Sequence, residues 1–282
     1  MTGNIISKAL KTPQIATIHD VYWNSWAKST GKIWTSLIGP FIEFIVVKMK
    51  YNKIITVSNA SRKKIHRIFK IPFEKIEVLP NGINCSMFES LEVEKARIPT
   101  VAYLGRLVPH KNVEDLIEAA RIVKKEIKEI RFKIIGSGGL FHKLRDLAKK
   151  RGVEDIVELR GFIPKYEEAI KELAASTLYV HPSTVEGFGI ALLEAMAAKL
   201  PVIAYNLDAY KDFIKKGENA MLCEKRDVNG LASSIIEVLE NNNLQRKLIR
   251  HGLKTSQKYD WKAIAKVLAK IYEDVSSTSV TI

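Results

Sequence analysis

Pro182-Ser-Thr-Val-Glu-Gly-Phe-Gly-Ile-Ala-Leu-Leu-Glu-Ala-Met196 decides how this chain is read. The run before it, Thr177-Leu-Tyr-Val-His181, is short and apolar, the pattern of a strand buried in a parallel sheet. The residues from Ile190 to Ala198 are apolar and alanine-rich, the pattern of a buried helix. Between them lies Glu186-Gly-Phe-Gly189. Glycines at 187 and 189 carry no Cβ, so the backbone can approach a ligand closely. The helix start that follows offers unpaired N–H groups and the positive end of a dipole, a suitable seat for a phosphate. Glu186 lies just ahead of the turn and Glu194 two turns on, so the two carboxylates bracket a ligand at different depths.

A lone Gly-x-Gly is an ordinary tight turn, but the whole string is more specific. It resembles the Glu-x7-Glu signature of retaining glycosyltransferases of the GT-B fold, most closely the nucleotide-sugar-dependent family 4. Glu186, Gly187, Phe188, Gly189, Glu194 and the following Pro201-Val202 all match. The resemblance implies an α/β architecture of GT-B type. A complete C-terminal Rossmann-like domain would join an incomplete N-terminal Rossmann-like half-domain.

Bulk composition agrees with a globular protein. Of 282 residues 46% are hydrophobic and 27% charged. Cys85 and Cys223 stand far apart without Cys-x-x-Cys spacing, which argues against a disulfide framework or a zinc site. No signal peptide is visible, so a cytoplasmic protein is expected, peripheral to the inner face of the membrane. The longest apolar run, Ile33 to Val47, is interrupted by Gly39, Pro40 and Glu43 and is too short to span a bilayer. It reads as a helix packed in the core. The net charge is +14, from 45 basic and 31 acidic residues. It is uneven: from Lys48 to Lys70 there are eight basic residues and no acid. A solvated face is the bland reading. An anionic membrane surface or a phosphorylated acceptor ranks above nucleic acid, because no nucleic-acid motif accompanies the charge. Lys63 and Lys64 fall beside Arg62 and Arg67, with Ile65 and Phe69 as the expected apolar partners on the membrane.

Taken in order, strands are expected at Gln14–Asp20, ending in His19-Asp20, at Lys53–Ser58 and at Lys75–Leu79, with helices at 32–50 and 60–70. Ser58 or Asn59 caps the second helix. This βαβαβ unit is half of a Rossmann-like domain. Residues 84–98 are charged and irregular, a linker. From Pro99 strands are expected at 100–104, 131–136, 156–160, 177–181, 201–204 and 220–223. Helices are expected near 113–127, 139–151, 166–174, 190–198, 227–241 and 244–257. The boundaries are therefore a partial acceptor-side domain at 1–98, a nucleotide-sugar-binding domain at 99–260, and an amphipathic helix at 261–282. In the resembled family that helix crosses back to the N-terminal domain. The same family has earlier strands and a Gly-rich loop that this chain lacks. A separately encoded N-terminal piece or a homodimer is one expectation that follows.

Gly105-Arg-Leu-Val-Pro-His-Lys-Asn112 follows the first strand of the complete domain. Arg106 and Lys111 stand at the carboxyl end of that strand, where open α/β sheets bind ligands. Two cations there suit a diphosphate leaving group, whose negative charge grows as a glycosidic bond breaks. The resemblance has Arg and Lys at these places. It puts Gly136, in Ile134-Ile-Gly-Ser-Gly-Gly139, beside the donor, and Phe162 and Ile163 at the nucleobase. Glu194 then takes the ribose hydroxyls, and Glu186 stands at the donor sugar. The backbone of Gly187, Phe188 and Gly189 holds sugar or phosphate, with hydroxyls added by Ser183 and Thr184. His19 approaches the reaction centre from the other domain. No metal site is indicated: the six histidines show no ligand spacing with carboxylates and there is no Asp-x-Asp. No cofactor is expected. The implied function is hexosyl transfer, with retention, from a UDP or GDP sugar to an unknown acceptor such as a lipid-linked or polysaccharide glycan. The rival readings are an inactive or split-enzyme donor-binding subunit, and a basic membrane-surface or nucleic-acid-binding module.

Overall fold

A computed structural model describes residues 12–23, 26 and 33–278, apart from the side chains of 33–37 and 278. The chain divides into two compact units. The first comprises Met1–Gly82, Glu186–Phe188 and Tyr259–Ile282; the second comprises Ile83–Val185 and Gly189–Lys258.

In the first unit, β1 (Ile15–Ile18), β2 (Lys53–Thr56) and β3 (Ile76–Val78) form a parallel sheet in that order. Among the described residues β1 pairs with β2 alone. Side chains alternate across a strand, so neighbouring residues of β2 enter different cores. Ile54 packs with Val21, Val47, Ile65, Phe69 and Ile76. Ile55 packs with Leu79, Ile264 and Ile271. The first cluster brings in α1 (Ile33–Lys48) and α2 (Asn59–Phe69), and the second brings in the last helix, α10 (Trp261–Thr278). Helix α2 begins where Ser58 Oγ accepts the Ser61 amide at 3.1 Å, an N-cap, and ends at Lys70 in the left-handed conformation.

Two readings of this unit are corrected. Helix α1 is not a core helix: Val47 is buried, but Ile38, Phe41, Ile42, Phe44 and Val46 are exposed. The run is apolar around most of its circumference, so the sequence marks no face for burial. Ile65 and Phe69, expected as apolar partners on a membrane, lie in the core. Both sit on the face of α2 that meets the sheet.

The second unit holds six parallel strands in the order β6-β5-β4-β7-β8-β9. In chain order its elements are α3 (Cys85–Glu89), β4 (Thr100–Leu104), α4 (Val113–Glu126), β5 (Arg131–Ile135), α5 (Phe141–Arg151) and β6 (Val157–Gly161). They continue with α6 (Tyr166–Ala174), β7 (Leu178–His181), α7 (Ile190–Ala197), β8 (Val202–Tyr205), β9 (Met221–Cys223), α8 (Val228–Glu240) and α9 (Asn242–Ser256). Strands β7 and β8 are buried at every position, as expected of strands covered on both faces. Helix α3 lies in the stretch read as an irregular linker. Five residues are too few to show a helical period, but Asn84 caps it by accepting the Met87 amide. The order reverses on either side of β4: β5 and β6 extend one way, β7 to β9 the other. The crevice at the carboxyl ends of β4 and β7 is therefore a topological switch point.

Candidate donor site

Four loops leave the carboxyl ends of β4, β5, β6 and β7, and three of them interlock through glycine. The Gly136 N–H donates to the Gly161 carbonyl at 2.8 Å, and the Gly105 N–H to the Ile135 carbonyl at 3.0 Å. Gly136 has φ +138, and a Cβ there would stand 1.9 Å from the Gly105 carbonyl oxygen. No side chain fits that contact. The β4 loop is fixed further by Tyr103, whose hydroxyl donates to the Arg106 carbonyl at 2.9 Å.

The loop after β7 is tied to the one after β4. The His110 carbonyl accepts from the Thr184 amide at 2.9 Å and from Ser183 Oγ at 3.2 Å. Asn112, left-handed at φ 47, gives its side-chain amide to the His110 carbonyl and to Thr184 Oγ1. These bonds fix the backbone on both sides of Lys111.

Together the loops surround a cavity of about 470 Å³ that lies wholly in the second unit. Arg106 and Lys111 line one part of it; Gly136, Phe162 and Ile163 line others. Ile190, Ala191 and Glu194 bring the first two turns of α7 into the wall. Gly189 starts that helix at φ 91. Phe162 is 68% exposed, an aromatic ring held at the rim.

Glu194 is buried, and desolvation holds its carboxyl above the usual range. The Tyr166 hydroxyl donates to Glu194 Oε1 at 2.5 Å and opposes that rise. Tyr166 is pushed up in turn, by burial first and then by the nearby Glu194 charge. The site thus offers two cations, a helix N-terminus, an exposed aromatic and a buried carboxylate. These are the complements of a diphosphate, a base and a hydroxylated ring.

Comparison with known proteins decides the family. The family model described as Glycosyl transferases group 1 matches residues 89–255. The chain belongs to that family. A second model, Glycosyltransferase Family 4, matches residues 2–87. An uncharacterized glycosyltransferase of Methanocaldococcus jannaschii is 27% identical over 274 residues, which are 97% of this chain and 72% of that protein. The phosphatidyl-myo-inositol mannosyltransferase of Mycobacterium leprae is 29% identical over 275 residues, 94% of this chain and 68% of the relative. Among solved structures, Anabaena HepE in complex with UDP and glucose superposes with a TM-score of 0.81 at 20% identity, covering 96% of this chain and 74% of that one. Staphylococcus aureus TarM, in complex with Fondaparinux, alpha-GlcNAc-glycerol and UDP, gives 0.77 at 23%, covering 95% and 53%. The α/β, GT-B architecture is shared.

Of the residues singled out in this glycosyltransferase, the cavity gathers Arg106, Lys111, Gly136, Phe162, Ile163 and Glu194. His19, Glu186, Gly187 and Phe188 belong to the first unit. There Gly187 packs against the His19 backbone, so close that a Cβ would lie 2.1 Å from the His19 carbonyl oxygen. Ser58 Oγ donates to the Gly187 carbonyl at 2.7 Å. These contacts hold Glu186 and His19 in one neighbourhood of that unit.

Two titratable lining residues, Tyr166 and His181, escaped the sequence reading. Tyr166 gave no signal except its place four residues after Phe162 at a helix start, since its partner lies 28 positions away. His181, hydrogen-bonded to the Tyr179 hydroxyl at 2.7 Å, read simply as the end of a strand. Among the described residues no group of three or more His, Cys, Asp or Glu could hold a metal ion.

Proposed function

We propose that this glycosyltransferase moves a hexose from a nucleoside-diphosphate sugar, with retention of anomeric configuration, to a lipid-linked or polysaccharide acceptor. The observation that carries the reading is the cavity at the switch point, lined by Arg106 and Lys111 together with Glu194 and the start of α7. Arg106, Lys111 and the α7 N–H groups meet the diphosphate and stabilise its growing charge as the glycosidic bond breaks. They do so without a metal ion. Glu194 accepts the ribose hydroxyls, and Phe162 and Ile163 flank the base. Glu186 acts at the donor sugar and His19 at the reaction centre.

Support for the nucleotide comes from the two structural neighbours described above, TarM and HepE, both solved in complex with UDP. Support for a lipid-linked acceptor comes from the name of the mycobacterial relative. Titration of the full chain with UDP and GDP tests the donor site; failure to bind either would overturn it. Incubation with α-linked donors, with and without a chelator, tests the chemistry. A product with the α anomeric proton coupling in NMR is expected in both, and a β product would refute retention.

A further inference from the structure

Helix α1 carries an exposed, largely apolar face that ends in Lys48. Ile38, Phe41 and Ile42 recur at i, i+3 and i+4, with the half-buried Ile45 at i+7, opposite the buried Val47. Phe41 is 66% exposed, Ile38 52% and Ile42 51%. The single acid of the helix, Glu43, is turned toward the protein, where it accepts the Tyr22 amide at 2.8 Å and Trp26 Nε1 at 3.0 Å. Such a face is a liability in water and marks an interaction surface.

What covers it is indicated by the helix packed beside it. Phe44 of α1 meets Phe69 of α2 with ring centres 6.2 Å apart. The face of α2 opposite Ser61, Ile65 and Phe69 presents Lys63, Arg67 and Lys70 at i, i+4 and i+7, all exposed. Lys48 and Lys50, at and just past the end of α1, are exposed as well. Cations thus stand at the end of the apolar helix and on the outward face of its neighbour, and no acid occurs from Lys48 to Lys70. A two-fold contact through the α1 face would carry the terminal Lys48 of both copies into the seam, with no acid from that stretch to meet it. A nucleic acid would leave the apolar face unused. An anionic lipid surface satisfies both parts at once: headgroups meet the lysines and arginine, and the acyl boundary takes Phe41 and its neighbours.

We propose that α1 and α2 form a docking surface for anionic lipid, with the α1 face inserted at the interface and the α2 face on the headgroups. The proposal does not depend on the donor reading, because none of these residues lines the cavity. It is an interfacial seat: among the described residues no helix is long and apolar enough to cross a membrane.

The test is co-sedimentation of the full chain with phosphatidylcholine vesicles, with and without phosphatidylglycerol. Strong partitioning onto the anionic vesicles, fading with salt, is expected. Replacing Lys63, Arg67 and Lys70 by Gln should weaken it by about fivefold per cation. Phe41→Ser with Ile42→Ser should weaken it on the order of tenfold or more. Both variants alter exposed side chains only, so circular dichroism and nucleotide binding should be unchanged. A Phe41→Trp reporter should shift its emission to the blue on anionic vesicles. Equal partitioning onto both vesicle types would overturn the proposal. So would full binding by the Ser variant, or a dimer in solution that the Ser variant abolishes, which would assign the face to a second copy.

Discussion

Replacing Glu194 by Gln should weaken nucleotide binding and stabilise the unliganded protein at the same time. Glu194 is 8% exposed and sits between buried Leu193 and Ala195. Burial raises its carboxyl above the ordinary range, while the 2.5 Å bond from Tyr166 offsets part of the rise. The sign follows from linkage. The folded protein binds this proton more tightly than the unfolded chain, so the contribution to stability is fully present below the unfolded carboxylate value. It is lost as pH rises through the raised folded value. An amide of the same shape has no such loss, and its oxygen still accepts from Tyr166. Thermal midpoints of the two proteins should therefore converge at acid pH and separate toward neutrality, with the Gln variant higher. Each kcal/mol relieved shows as about 2–4 °C for a domain of this size. For the nucleotide, losing a charge-assisted bond to the ribose costs about 1.5–3 kcal/mol, on the order of 10- to 150-fold in Kd. Calorimetric titration with UDP and thermal scans across pH read both effects. A lower midpoint with undiminished affinity would refute the argument and make Glu194 a structural partner of Tyr166.

Arg106→Ala and Lys111→Ala should each weaken UDP binding, by about 1.5–3 kcal/mol for a charge-assisted contact and toward the lower end for the exposed Arg106. Undiminished titrations in both would remove them from the diphosphate. Glu186→Gln should leave nucleotide affinity intact and lower kcat for transfer or donor hydrolysis, a split visible in steady-state kinetics. Gly136→Ala should cost at least about 2 kcal/mol, because it combines φ +138 with a backbone oxygen at 1.9 Å. Its midpoint and its nucleotide affinity should fall together, and a stable variant with normal binding would show that the β4 and β5 loops can separate.

Most of the alternation of strands and helices was legible because most strands are short, mainly apolar runs ending in a turn. Val101 to Leu104 stops at Gly105, and Phe132 to Ile135 stops at Gly136. In a parallel sheet those turns lie at one edge, so the pattern alone puts the candidate cations and glycines together. What escaped depended on neighbours instead of local pattern. Helix α1 reads the same whether its apolar residues face a core or not. Its period is blurred because Ile38 and Val47, on opposite faces, are both apolar. The tie between Asn112 and Thr184 joins residues 72 positions apart, and neither residue type announces a partner at that range.

For the site, spacing revealed which residues to inspect but not what state they are in. Glu186 and Glu194 look alike in the sequence, two carboxylates around a glycine turn. The fold separates them: Glu186 is half-buried in the first unit, whereas Glu194 is enclosed in the second among Leu192, Leu193, Ala195 and Met196. A carboxylate in that setting is costly when ionised, and Tyr166 offsets only part of the cost. Residues that are poor for stability and lie in a cleft are where function is to be sought. A ribose would supply the missing donors, two hydroxyls aimed at one carboxylate. Nucleotide should therefore raise the thermal midpoint of the native protein by more than it raises that of Glu194→Gln at matched concentration, because binding then relieves a penalty as well as adding a contact. Equal shifts would mean that the ribose does not reach Glu194, and the raised carboxyl would need another partner.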